Sequence, residues 1–201
     1  LAAGAIGLAI YPVLHGLGGR WRPLALDAVV LVLALFSLSH TFALGEVFAD
    51  AGSPTEAVML SIYPLTDLLL MSLAVVALLR SVGPPRLDVV LLAVFFAVYL
   101  ITDLGYALMT VHGQDPVGTW VELGYHVAPL PMAGAALVVA LTPTPRRFAT
   151  RNLSGLAAPL LPDLTALLAL GLTFAFTPED DLSRVIALVL LLAVGLRQLA
   201  Q

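Results

Sequence analysis

The stretch AVMLSIYPLTDLLLMSLAVVALL, residues 57–79, carries a single charged side chain, Asp67. A helix needs about 20 mostly apolar residues to cross the hydrocarbon core of a bilayer, and this run supplies them. Cutting the chain at Pro, Gly and charge clusters on either side gives six more runs of the same kind. They lie near 1–17, 24–44, 88–110, 119–141, 156–177 and 183–199. The sequence therefore predicts an all-α fold: a polytopic membrane helix bundle, one domain over 1–201 with seven transmembrane helices. The first run is short and begins at the chain start, so it reads as truncated. With no initiator methionine at Leu1 and an apolar run just before Gln201, the chain reads as a piece of a longer polypeptide.

Composition leads to the same class. Of 201 residues, 60% are hydrophobic and 11% charged, with a mean hydropathy of +1.02. A soluble domain carries about 25% charged residues and could not hide this much apolar surface from water. The formal charge is −4 and all nine basic residues are arginine, so no lysine-rich stripe exists to track nucleic acid phosphates. The absence of cysteine excludes disulfides, thiolate metal sites and a cysteine nucleophile. Lysine is missing and Asn152 is the only asparagine, a bias that fits a GC-rich bacterial genome.

Loop charge predicts orientation. Arg20 and Arg22, then Arg80 and Arg86, then Arg146, Arg147 and Arg151, and finally Arg197 fall on one side under strict alternation. The opposite loops hold Glu46, Asp50, Glu56, Asp115, Glu179, Asp180 and Asp181, with Arg184 the only arginine. The positive-inside rule makes the arginine side cytoplasmic, with Leu1 outside and Gln201 inside a bacterial cytoplasmic membrane. A faint tandem repeat accompanies this pattern, with Asp27, Asp88 and Asp163 each opening a helix that leaves the arginine side. An acid at a helix start meets the positive end of the macrodipole, which accounts for all three.

Ionisable groups inside spanning runs cost about 2.5–3.5 kcal/mol each at the helix centre, so each needs a reason. Asp67 lies deep in the third run and Asp103 in the fourth; Glu122 and His126 share a face of the fifth, and His40 lies near the end of the second. Tyr63, Tyr106, Tyr125 and Trp120 sit at similar depths. Pro64, Pro129 and Pro131 are placed to kink the helices beside them. The candidate ligand or proton site is thus Asp67, Asp103, His126, Glu122, His40 and Tyr63, an outward-open polar pocket. The alternative is a set of hydrogen bonds joining helices, each worth about 0.6–2 kcal/mol. Glu122 and His126, completed by His40 or Asp67, have donors that suit a transition metal, but nothing in their spacing demands one. No GxSxG elbow, P-loop or HExxH occurs. No cofactor is implied, and the chain reads as non-enzymatic.

Several strings carry a family resemblance. YPLTDLLLMSLAVVALL (63–79) resembles the YPLxDLLLL element of N-terminal multi-pass membrane regions in actinobacterial GGDEF/EAL signalling proteins. LDAVVLVLALFSLSHTFAL (26–44) is similar to the helix preceding it, and ITDLGYALMT (101–110) to its ADLLYALL element. WVELGYHVAPLPMAGAALVVALTP (120–143) looks like DLGWLLGYLLLGAAALHP, and GLRQLAQ (195–201) like the RQLLALRE string that leaves the membrane. Asp67 and Asp103 match the family's recurring acids, and Gly124 and Tyr125 its GY pair. His126, Pro129 and Pro131 depart from it, standing where the family has apolar residues. The resemblance implies a sensory or anchoring region, paired as a homodimer, whose last helix passes a signal to a cytoplasmic GGDEF/EAL or kinase-type module. This chain carries no GGDEF or EAL string, so the cyclic di-GMP chemistry would lie outside it. Two other readings compete: a transporter or channel with Asp67 and Asp103 as intramembrane acids, or a non-catalytic subunit of a larger membrane complex.

Overall fold

A computed structural model of the protein describes residues 21–80, 87–142, 157–177 and 180–199. The described residues are helical, without a strand. Helix α1 (Trp21–Ser39) passes through a π turn (His40–Leu44) into α2 (Gly45–Asp50). There follow α3 (Pro54–Arg80), α4 (Leu87–Val111), α5 (Trp120–Val127), α6 (Pro129–Leu141), α7 (Ala157–Phe176) and α8 (Asp181–Leu199). Among the described residues, five helical stretches are long and apolar enough to cross a membrane: Ala25–Asp50, Pro54–Leu78, Leu87–Val111, Trp120–Leu141 and Asp181–Leu199. Leu160–Phe176, within α7, is a shorter apolar helix. This is the fold of a multi-pass helical membrane protein. The helix expected over 1–17 and the loop arginines Arg20, Arg86, Arg146, Arg147 and Arg151 lie outside the described residues.

Local chemistry sets the helix ends. The Ser53 hydroxyl accepts from the Glu56 N–H at 3.2 Å, and the Glu56 carboxylate accepts from the Gly52 N–H at 2.9 Å. This reciprocal cap starts α3 at Pro54, three residues before the apolar run begins. Helix α4 ends where Gly113 takes φ +65° and the Gln114 N–H bonds the Met109 carbonyl at 2.8 Å, a left-handed stop that favours glycine. The run expected over 24–44 extends to Asp50, because the π turn absorbs one extra residue instead of ending the helix. Gly45 makes that turn: its N–H bonds the His40 carbonyl, and a Cβ there would stand 2.8 Å from the same oxygen. Helix α3 runs on through Pro64. The Ala128 N–H still bonds the Gly124 carbonyl at 2.8 Å, but Pro129 has no N–H to continue the ladder, and α6 starts there with proline in its first turn.

Helix α1 sits between two groups of neighbours. On one side it packs with α7 and α8 through a core of Val30, Ala34, Ala166, Ala169, Ala187 and Leu190. So many alanines let the backbones approach closely, which favours association where lipid is as apolar as the side chains. On the other side Leu31 meets Val76 of α3, and α3 packs along α4, which in turn carries α5 and α6. Large apolar side chains cover the outside, among them Leu137, Leu141, Leu167, Leu188 and Leu192, a surface suited to lipid and not to water. Among the described residues no buried side-chain N or O lacks a partner. Hydroxyls on the helices bond back to carbonyls one turn earlier, as Ser61 to Ala57, Ser72 to Leu68 and Thr102 to Val98 do.

Candidate functional site

Among the described residues, three clusters built on ionisable side chains stand within the bundle, apart from the hydroxyl set Ser37, Thr41 and Thr173 that links α1 to α7. The most deeply placed joins α3, α4 and α5. Asp67 is the middle residue of the 27-residue α3, about 20 Å from either end at 1.5 Å per residue. Asp103, on the neighbouring α4, lies close enough to interact with it electrostatically and is buried. The Tyr125 hydroxyl donates to Asp103 Oδ1 at 2.6 Å.

Two glycines bring these helices close enough. A Cβ on Gly124 would fall 2.3 Å from Thr102 Oγ1, and one on Gly105 would fall 2.1 Å from the Trp120 ring. Gly124 and Thr102 directly precede Tyr125 and Asp103 in sequence, so the close approach of α5 to α4 places the phenol on the carboxylate. The Tyr99 and Tyr106 rings stand 6.1 Å and 6.4 Å from that of Tyr125 and wall the cluster.

The other candidates from the sequence are elsewhere. Tyr63 is 70% exposed on the outer surface of α3. Glu122 completes a cap at the start of α5: its carboxylate accepts from the Gly118 N–H at 2.6 Å, while Thr119 Oγ1 accepts from Val121. His126 is exposed, and its Nδ1 donates to the Glu122 carbonyl oxygen at 2.8 Å. Glu122 and His126 therefore share a helix face without converging on a common point. Their spacing one turn apart coincides here with the capped N-terminus of α5.

His40 belongs to the second cluster. It is buried at the π turn, with Nδ1 3.2 Å from Ser183 Oγ and 3.7 Å from Asp180 Oδ2. The Ser183 hydroxyl donates to Asp180 Oδ2 at 2.5 Å, so the His40 Nδ1–H must donate to the serine oxygen. Asp180 also caps α8 by accepting from the Leu182 and Ser183 N–H groups. The Ser183 side-chain hydrogen bond, helped by these N–H donors and by His40, holds the Asp180 carboxyl below its ordinary value, against a smaller opposing effect of burial. Although serine, histidine and aspartate meet here, the hydroxyl proton points at the carboxylate and not at the imidazole. The set is a helix cap, not an activated nucleophile.

The third cluster was not foreseen as a unit. Arg197, near the end of α8, is 1% exposed. Its Nε donates to Asp27 Oδ1 at 2.6 Å and its Nη1 to Asp163 Oδ1 at 2.7 Å. Gln198 adds a bond to the other Asp163 oxygen at 2.8 Å. The acids read from sequence as helix-dipole partners thus also serve as counter-ions for one arginine. Arg197 is consequently a bridge among α1, α7 and α8 as well as a loop-side charge. The periodic recurrence of Asp after each arginine-bearing loop was the only hint, and it gave no sign of which residue would answer it. No protein family model, no curated protein and no solved structure matches this chain.

Proposed function

We propose that the chain is a membrane-embedded sensory and anchoring region whose last helix passes a signal to a cytoplasmic output module following Gln201. The observation that carries this reading is the attachment of α8 to α1 at both ends, through His40 to Ser183 at one and Asp27 to Arg197 at the other. A helix held this way moves with its neighbour, so a shift of α1 is delivered to the end that leaves the bundle. The acidic end of the bundle faces outward and the Arg197 end faces the cytoplasm of a bacterial cell, following the arginine bias of the loops. With the helix expected over 1–17, the chain crosses seven times and pairs as a homodimer. A signal then requires a ligand with unequal affinity for two arrangements of the bundle. The test fuses the chain at Gln201 to a GGDEF module and inserts one to four residues at the junction. Cyclase activity should vary periodically with insertion length, as the register of a helical extension does. A flat response would reduce the role to anchoring.

The Asp67–Asp103–Tyr125 cluster favours a second reading, a proton-conducting carrier or channel. In reconstituted liposomes under a pH gradient, Asp67→Asn should abolish proton flux while leaving the fold intact. Flux that is absent in the unaltered protein, or unchanged in the variant, excludes this reading.

A further inference from the structure

At the Asp50 end of α2, outside the three clusters above, Glu46, Asp50 and His112 come together with one ligand atom from each within 4.8 Å of the others. His112 Nε2 already lies 2.9 Å from Glu46 Oε1. We propose that these three side chains form a binding site for a divalent transition-metal ion of the Zn2+ type.

The geometry is suitable. Glu46 and Asp50 are one helical turn apart and therefore project from one face of α2. His112 follows the last residue of α4 and is fixed there by the left-handed stop at Gly113. Zinc–nitrogen and zinc–oxygen distances of about 2.0–2.2 Å put tetrahedral ligand atoms about 3.3 Å apart. The Glu46–His112 separation is already close to this, and all three side chains are exposed and free to take the small rotations needed. An imidazole with two carboxylates suits zinc-like ions, whereas Mg2+ and Ca2+ prefer oxygen ligands alone. Three protein ligands leave a position for water, so the ion would exchange.

The electrostatics also suit a cation. Both α2 and α4 end at this point, and helix C-termini present partial negative charge. The segments 45–56 and 111–119 contain Glu46, Asp50, Glu56 and Asp115 and neither lysine nor arginine. In the absence of metal, the Glu46–His112 contact holds the two helix ends together; the ion replaces that contact with a three-point link.

The test uses the full chain, purified in detergent with a histidine-free affinity tag. Titration calorimetry with Zn2+ should show one saturable site per chain. Electron paramagnetic resonance of the Cu2+-loaded protein should show coupling to a single imidazole nitrogen. His112→Ala, Glu46→Gln and Asp50→Asn should each weaken Zn2+ binding about tenfold or more, with thermal unfolding of the metal-free variants near that of the unaltered protein. Asp181→Asn, an exposed acid at the start of α8, should bind as the unaltered protein does. Failure to saturate at millimolar Zn2+, Cu2+ spectra without nitrogen coupling, or binding that survives His112→Ala would each overturn the proposal. The spectroscopic readout needs no variant and so remains decisive if one misfolds. The assignment is independent of the signalling reading, since binding is measured without any output module.

Discussion

Replacing Arg197 by alanine tests how far the third cluster holds the bundle together. Arg197 is buried, its partner Asp27 has a side chain 7% exposed, and Asp163 is 22% exposed. Removing one member of a buried ion pair typically costs about 3–5 kcal/mol, because the remaining charge keeps its desolvation penalty. Asp27 should dominate that cost, being the more buried acid. Asp163 has more access to solvent and keeps its bond from Gln198, so Asp163→Asn should cost nearer the 1 kcal/mol or less of a surface pair. For a chain of this size each kcal/mol moves the midpoint by about 2–4 °C. Arg197→Ala should therefore lower the unfolding temperature in detergent by roughly 10 °C. A double variant, Asp27→Leu with Arg197→Met, should recover most of the loss, since well-packed apolar residues often replace a buried pair without penalty. A loss below about 1 kcal/mol on Arg197→Ala, or a double variant no better than Arg197→Met alone, would refute this account of the cluster.

Two further perturbations address the other clusters. Gly124→Ala pushes a methyl group against Thr102, whose hydroxyl is held by Val98, and should cost about 1–3 kcal/mol by overpacking; adding Thr102→Ala should restore part of that stability in the same thermal assay. Asp180→Ala should cost about 1 kcal/mol at neutral pH through the lost cap. Because the folded carboxyl titrates below its ordinary value of 3.8, the stability it contributes is complete above that value and disappears as pH falls through the lower folded value. The two proteins should therefore converge in strong acid. A difference that persists there would mean that the cap does not depend on the charge.

The sequence made the helical, membrane-spanning character legible because burial in lipid imposes long apolar runs, and Asp67 interrupts one such run in its middle. The prospect that Asp67 and Asp103 face inward follows from the cost of placing an acid against hydrocarbon. What could not be read was partnership across the chain. Asp27 and Arg197 are separated by 170 positions, and nothing local to either residue identifies the other. His40 was grouped with the deep acids on depth alone; the rotation of its helix turns it toward Ser183 instead. Glu122 and His126 satisfied a spacing rule for ligands that the TxxE cap of α5 satisfies equally well. The π turn was invisible for a related reason: His40–Leu44 is unremarkable in composition, and only the clearance at Gly45 distinguishes it.

That turn gives one helix two phases. An ordinary helix advances about 100° per residue, so the one extra residue held between His40 and Gly45 offsets everything after it by about that angle. Before the offset, α1 packs against α7 and α8 on one side and α3 on the other; after it, α2 turns toward α3 and α4, with Glu46 against His112 just beyond the end of α4. Without that offset, the residues after Leu44 would lie about 100° round the axis from their present positions. Here a single spanning segment serves as a joint between two otherwise distinct groups of helices, and the angle of that joint is stored in the backbone hydrogen bond that Gly45 permits.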